Sequence, residues 1–244
     1  MLNLMKSEQY RFVRAKSYYY TGLIYILLIA AATIGLKVVA QSDSSFPYAN
    51  EQFIYLNVLS MMPVIFVLLF IFPLILMGED RSVLKNTVAY GYSRQTIYNG
   101  KLVITLAGFI LFSLVLVAVS VLIASTMVSK DEPTLAQYLS KLLNLLPVMT
   151  AGITTYFCLA SIMKKNVRLV IMFQVIQFFP YFVLGYLQGR FSWAKWLREH
   201  QPVYYLLNAY DEMTYPAWET WAVGGSYTLV FYLLGLYLFT KEEF

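Results

Sequence analysis

The chain has 244 residues, of which 59% are hydrophobic and only 13% charged, with a formal net charge of +5. So little charge leaves too little polar surface for a water-soluble bundle of this size. The single cysteine, Cys158, excludes an internal disulfide and reads as a small packing residue.

At the N-terminus, Leu2, Met5, Phe12 and Val13 can share one helical face with Lys6, Arg11 and Arg14 on the other. Two readings of 2–16 follow: a helix lying along the inner membrane surface, or a solvated basic tail, since Gln9 interrupts the apolar stripe. The basic region is long and no small-residue cleavage pattern follows the first apolar run, so a cleavable signal peptide is not expected. Tyr18, Tyr19 and Tyr20 stand where an interfacial aromatic belt belongs.

Six windows then carry no charge: 17–36, 52–78, 102–129, 142–163, 169–189 and 220–240. About 20 residues rising ~1.5 Å each cross a hydrocarbon core of about 30 Å, so each window can span as a helix. The expected fold is all-α and membrane-integral, one domain over 1–244, with spans at about 17–36, 54–77, 102–127, 142–163, 169–189 and 220–240. Pro63, Pro73, Pro147 and Pro180 each predict a kink and a freed carbonyl. Gly185 and Gly189 form one small-xxx-small spacing, a weak helix-contact signal.

Residues 37–51 and 130–141 read as short polar loops. Segment 190–219 differs, carrying Trp193, Trp196, Tyr204, Tyr205 and Trp218 among charges. Its stretch Gln201–Tyr210 is too short to span and too apolar for a wet loop, and Pro202 breaks any continuous helix. Re-entrant structure and an aromatic outer cap fit equally.

An even number of spans puts both termini on one side. Twelve of the 18 lysines and arginines fall on that side, so the positive-inside bias makes the termini cytoplasmic. The positive charge is a topology signal, and nothing calls for nucleic acid. No window holds an acid, a base or a histidine, which disfavours a proton-driven carrier. His200, the only histidine, sits beside Glu199 in the aromatic segment and reads as a surface residue. No catalytic set and no metal site is expected, and the chain by itself is not an enzyme.

The stretch 78–101 is the most informative. Glu79 and Asp80 open a helical segment, Lys85 sits within it, Gly91 permits a sharp turn, and Ser93-Arg94 starts a second helix running to Lys101. This is a cytoplasmic elbow suited to a soluble partner. Gly91 to Lys101 lacks the two-glycine spacing of a phosphate-binding loop, so any ATP would be bound by another subunit.

The six spans, the basic N-terminus, the elbow and the aromatic segment before the last span together resemble the ABC-2 type permease family. Gly91-Tyr-Ser-Arg94, Ile97-Tyr98 and Lys101 are similar to the Gly-x-Ser-Arg-x-x-Ile-Tyr-x-x-Lys pattern of Gram-positive members. The resemblance implies a coupling helix, with Glu79, Lys85, Gly91, Ser93 and Arg94 meeting a separate ABC nucleotide-binding ATPase that carries ATP and magnesium. It also implies a second permease, identical or not, and a bacterial plasma membrane. The subgroup it most resembles exports, or confers immunity to, lantibiotics and other amphipathic peptides. Asn57, Phe66, Gln174, Gln177 and Phe178 are the expected path residues, with hydrogen bonding between helices as the other reading of the polar ones. The alternative function is a membrane scaffold or sensor that docks the ATPase without moving cargo.

Overall fold

The computed structural model describes residues 2–43, 46, 48–78, 81–127, 134–163, 166–209 and 216–241. Among them no β-strand occurs. Thirteen helices follow in order: α1 (Leu2–Val13), α2 (Lys16–Ser42), α3 (Glu51–Ser60), α4 (Met62–Leu68), α5 (Ile71–Met77), α6 (Arg81–Ala89) and α7 (Arg94–Met127), then α8 (Thr134–Ile162), α9 (Asn166–Gln177), α10 (Phe179–Leu187), α11 (Ser192–Glu199), α12 (Pro202–Leu207) and α13 (Ala217–Lys241). Five stretches are long and apolar enough to cross a membrane: α2, α7, α8 from Leu135, α9 joined to α10, and α13. The second expected span is instead a bent pair, α3 with 62–77, meeting at 41°.

The prolines explain most of the breaks. Pro63 follows the bend at Met61, Pro73 follows the two-residue break between α4 and α5, and Pro180 follows the turn at Phe178. Where a proline or a turn interrupts the ladder, a carbonyl needs another donor. Tyr156 of α8 supplies one, its hydroxyl donating to the Val67 carbonyl at 2.6 Å. At Pro147 α8 continues as one helix. The loops are also shorter than charge counting suggested: α2 continues to Ser42 and α8 already begins at Thr134. Polar residues at a helix end remain helical because they hydrate without leaving the backbone ladder. Asn50 sets the start of α3, its side chain accepting the Phe53 amide at 2.8 Å.

At the centre stands α8. Every residue from 151 to 161 is buried, and its neighbours are α3, α5, α7, α9, α12 and α13. The closest of these is α13: Gly224 lies so near the Pro147 backbone that a side chain there would collide with it. At the periphery lies α2, with 6% of its apolar window buried against 83% for α8. Its exposed Leu23, Ile24, Leu27 and Leu28 suit lipid, as the surface of a membrane-embedded bundle requires.

The aromatic segment divides into two pieces of opposite character. The first, α11, lies on α10, where Arg198 donates to Gln188 Oε1 at 2.8 Å and to the Tyr181 hydroxyl at 2.7 Å. Its Trp193 and Trp196 are exposed. The second, α12, is inserted against α4, α8 and α13, burying Val203, Tyr205 and Leu206. Gly185 lies where α10 meets α11, facing the Arg198 side chain, and Gly189 faces open space.

Candidate functional site

The first turns of α7 are a junction where four other helices meet. Ser93 caps the helix: its hydroxyl accepts the Thr96 amide at 3.2 Å and lies 2.8 Å from the Thr96 hydroxyl. Just before it, Gly91 has φ +87°, the left-handed geometry that reverses the chain between α6 and α7. Behind these caps, Ile97, Tyr98 and Lys101 are wholly buried.

These positions tie the head of α7 to its neighbours. Arg94 donates to the Thr240 carbonyl at 2.8 Å, so its guanidinium satisfies the end of α13. Tyr98 packs on Phe157 of α8 and on Tyr232 and Phe239 of α13. The Tyr232 hydroxyl donates to Asn99 Oδ1 at 3.0 Å. Lys101 donates to Glu8 of α1 at 2.8 Å and to the Leu76 carbonyl of α5 at 3.0 Å. Arg11 adds a second cation to Glu8 at 3.1 Å. An ion pair this deeply buried is tolerated because every charge has a partner and the last carbonyls of α5 need donors.

This junction corrects the expected face of α1. Leu4, Glu8 and Phe12 point inward, at i, i+4 and i+8, while Val13 is half-exposed and Met5 only partly covered. Hydrophobicity alone misassigned the stripe because an acid occupies its middle, and the buried cation that holds that acid inward is a lysine 93 positions away in sequence. Phe12 fits because Gly108 leaves room for its ring.

Of the expected coupling residues, Lys85 and Gly91 are exposed, Ser93 caps α7 and Arg94 is half-buried against α13. Glu79 lies outside the described residues. Tyr90, which sequence reasoning passed over, is 83% exposed at the tip of the turn. Its signal was an aromatic residue directly before the turn glycine. Lys85, Asn86, Ala89 and Tyr90 thus form one exposed edge, with Leu84 buried behind it.

The expected path residues are not gathered in one place. Phe66 and Phe178 are brought together, with ring centroids 6.2 Å apart, and Phe66 lies on the side-chain-free surface of Gly152. Gln177 is buried and donates to the Thr155 hydroxyl at 3.1 Å, the helix-to-helix reading of that residue. Gln174, one turn away, is half-buried, and Asn57 is exposed and bonded within its own helix to the Phe53 carbonyl. Separately, a groove of about 210 Å³ lies between α8 and α13, lined by Leu146, Pro147, Thr150, Trp221, Gly225 and Thr228. Among the described residues no cluster of His, Cys, Asp and Glu could hold a metal ion.

No family model and no curated protein matches this chain.

Proposed function

We propose that this chain is the permease subunit of an ATP-driven exporter of the ABC-2 type. In this reading it crosses the plasma membrane six times, with the bent α3–α5 as the second span and both termini cytoplasmic. The edge from Lys85 to Tyr90 docks on a separate ATPase subunit, which binds ATP and magnesium, and a second permease completes the path. Amphipathic peptides are the proposed cargo class.

One observation carries the proposal. An exposed, partly aromatic edge at the elbow leads through the Gly91 turn into the buried head of α7, which is bonded to the ends of α5 and α13 and to α1. A displacement at Tyr90 passes through the short Gly91 turn to the head of α7 and from there to α5. Such a connection suits conversion of nucleotide-driven closure into a tilt of membrane helices. Aromatic side chains that are exposed and preorganised are also favoured anchors of protein interfaces.

Affinity purification from native membranes tests the docking, and the expected result is a co-purified ATPase subunit that Tyr90→Ala and Lys85→Glu remove. Vesicles containing that complex should take up a fluorescent cationic amphipathic peptide when ATP is added outside. A complex that binds and hydrolyses ATP while moving no amphipathic compound would favour the scaffold role instead.

A further inference from the structure

The elbow reading leaves α1 without a task, yet α1 is tied to α7 and α5 through a buried ion pair. A helix that merely rests on a membrane surface would turn Leu and Phe inward and its charges outward. Here Glu8 is 1% exposed and Lys101 is not exposed at all. The pair is closed on three sides: Arg11 from α1 itself, the Leu76 carbonyl from α5, and the backbone of α7 beneath. Above and below it, Leu4 lies against Gly100 and Phe12 against Gly108, so one stripe of α1 is seated along two turns of α7 and beyond. Phe12 continues to Phe72 of α5, with ring centroids 6.4 Å apart.

Burial of an ion pair adds little net stability over a well-packed apolar pair, but it fixes one register among several that apolar contacts would accept. A stripe of Leu and Phe on smooth helical surface could slide by one turn. The Glu8–Lys101 pair resists this, because Lys101 would then be buried without a carboxylate and Glu8 would keep only Arg11 of its own helix.

We propose that Glu8 and Lys101 are positioning residues that lock α1, α5 and the head of α7 into one moving body. On this view α1 is the lever of the coupling stroke, and the break at Leu69–Phe70, above α5, is where that body meets the rest of the span. The proposal rests on the elbow reading for its driving force, whereas the lock itself belongs to this chain alone.

The two parts separate in one experiment. The paired variant Glu8→Gln/Lys101→Met keeps side-chain volume and leaves no buried charge unpaired, so folding is preserved; Lys101→Met alone, which takes from Glu8 its buried cation and leaves it only the partly exposed Arg11, should lower the yield of folded protein. In the purified chain, hydrogen exchange of α1 amides 4–12 should rise at least about tenfold in the paired variant while α8 is unchanged. In the complex with its ATPase subunit, spin labels in a Cys158→Ser background report Ser7→Cys against Leu143→Cys and Ser7→Cys against Val115→Cys. Trapping with ATP and vanadate should shift the first distance by about 2 Å or more and leave the second fixed. In the paired variant the second distance should change as well. Equal α1 exchange in parent and variant overturns the lock alone. A nucleotide-dependent Ser7–Val115 distance in the parent overturns the single moving body, and isolation of the chain without any ATPase subunit overturns the coupling role together with the elbow reading.

Discussion

Two buried tyrosines show how much a single hydroxyl decides. Tyr156 and Tyr98 are both fully enclosed, but Tyr156 gives its hydroxyl to the Val67 carbonyl at the break in the second span. The Tyr98 hydroxyl has no hydrogen-bond partner among the described residues. Polar bonds between helices in a membrane contribute roughly 0.6 kcal/mol on average and up to about 1.7. Tyr156→Phe should therefore lower unfolding stability in detergent by about 1 kcal/mol, the Val67 carbonyl losing its donor. Tyr98→Phe removes a desolvated, unpartnered group and should leave stability unchanged or raise it by up to about 1 kcal/mol. Thermal unfolding of the two variants side by side measures the contrast. Phe66→Ala gives the scale for packing: it empties the site between Gly152 and Phe173 and should cost about 3–5 kcal/mol.

At the level of elements, the elbow is held from behind by the end of α13. Arg94→Ala deletes a charge-assisted bond to the Thr240 carbonyl and leaves the last turn of α13 without that donor. Amides near 237–241 should then exchange several-fold faster, while α8 is unaffected. If the elbow docks an ATPase, co-purification should fall as well, because the exposed edge loses its backing. Gly91 acts differently, through the backbone. A β-carbon at φ +87° costs about 1–2 kcal/mol, so Gly91→Ala should loosen the α6–α7 turn, whereas Gly91→Asn, which tolerates that region better, should be milder. Limited proteolysis at the turn ranks the three chains.

For the whole molecule, the arrangement is an inside-out reading of hydropathy. The most deeply buried of the long helices is α8, rich in Ala, Gly, Thr and Ser between 151 and 161, and the helix left at the edge is the strongly apolar α2. Lipid competes with the protein interior for large apolar side chains, so close packing of small residues decides which helix takes the centre. Orientation is a second property of the whole. The proposed topology puts Lys85 inside the cell and Lys195 outside, and both are exposed. Single cysteines at these positions, in a Cys158→Ser background, should react with an impermeant thiol reagent on intact cells at 195 and not at 85. The reverse pattern would invert the topology.

The legibility of this chain follows the range of the forces involved. The long apolar windows, the proline breaks at 63, 73 and 180, the Gly91 turn and the elbow with Ser93 at the start of its second helix were readable because each depends on residues within a turn or two. Charge spacing marked the loops less well, since helices extend past the last apolar residue to Ser42 and back to Thr134. How the stretch from Gln201 packs was not legible in the sequence, and only the tertiary structure placed α12 against α4, α8 and α13. The same holds for the head of α7. Glu8 looks like an error in an apolar stripe until Lys101 and the Leu76 carbonyl are placed beside it, and Arg94 looks like an outward-facing charge until Thr240 ends next to it. Local periodicity fixes what becomes helix; a buried charge is fixed by a partner that no local pattern names, and for that the tertiary structure was required.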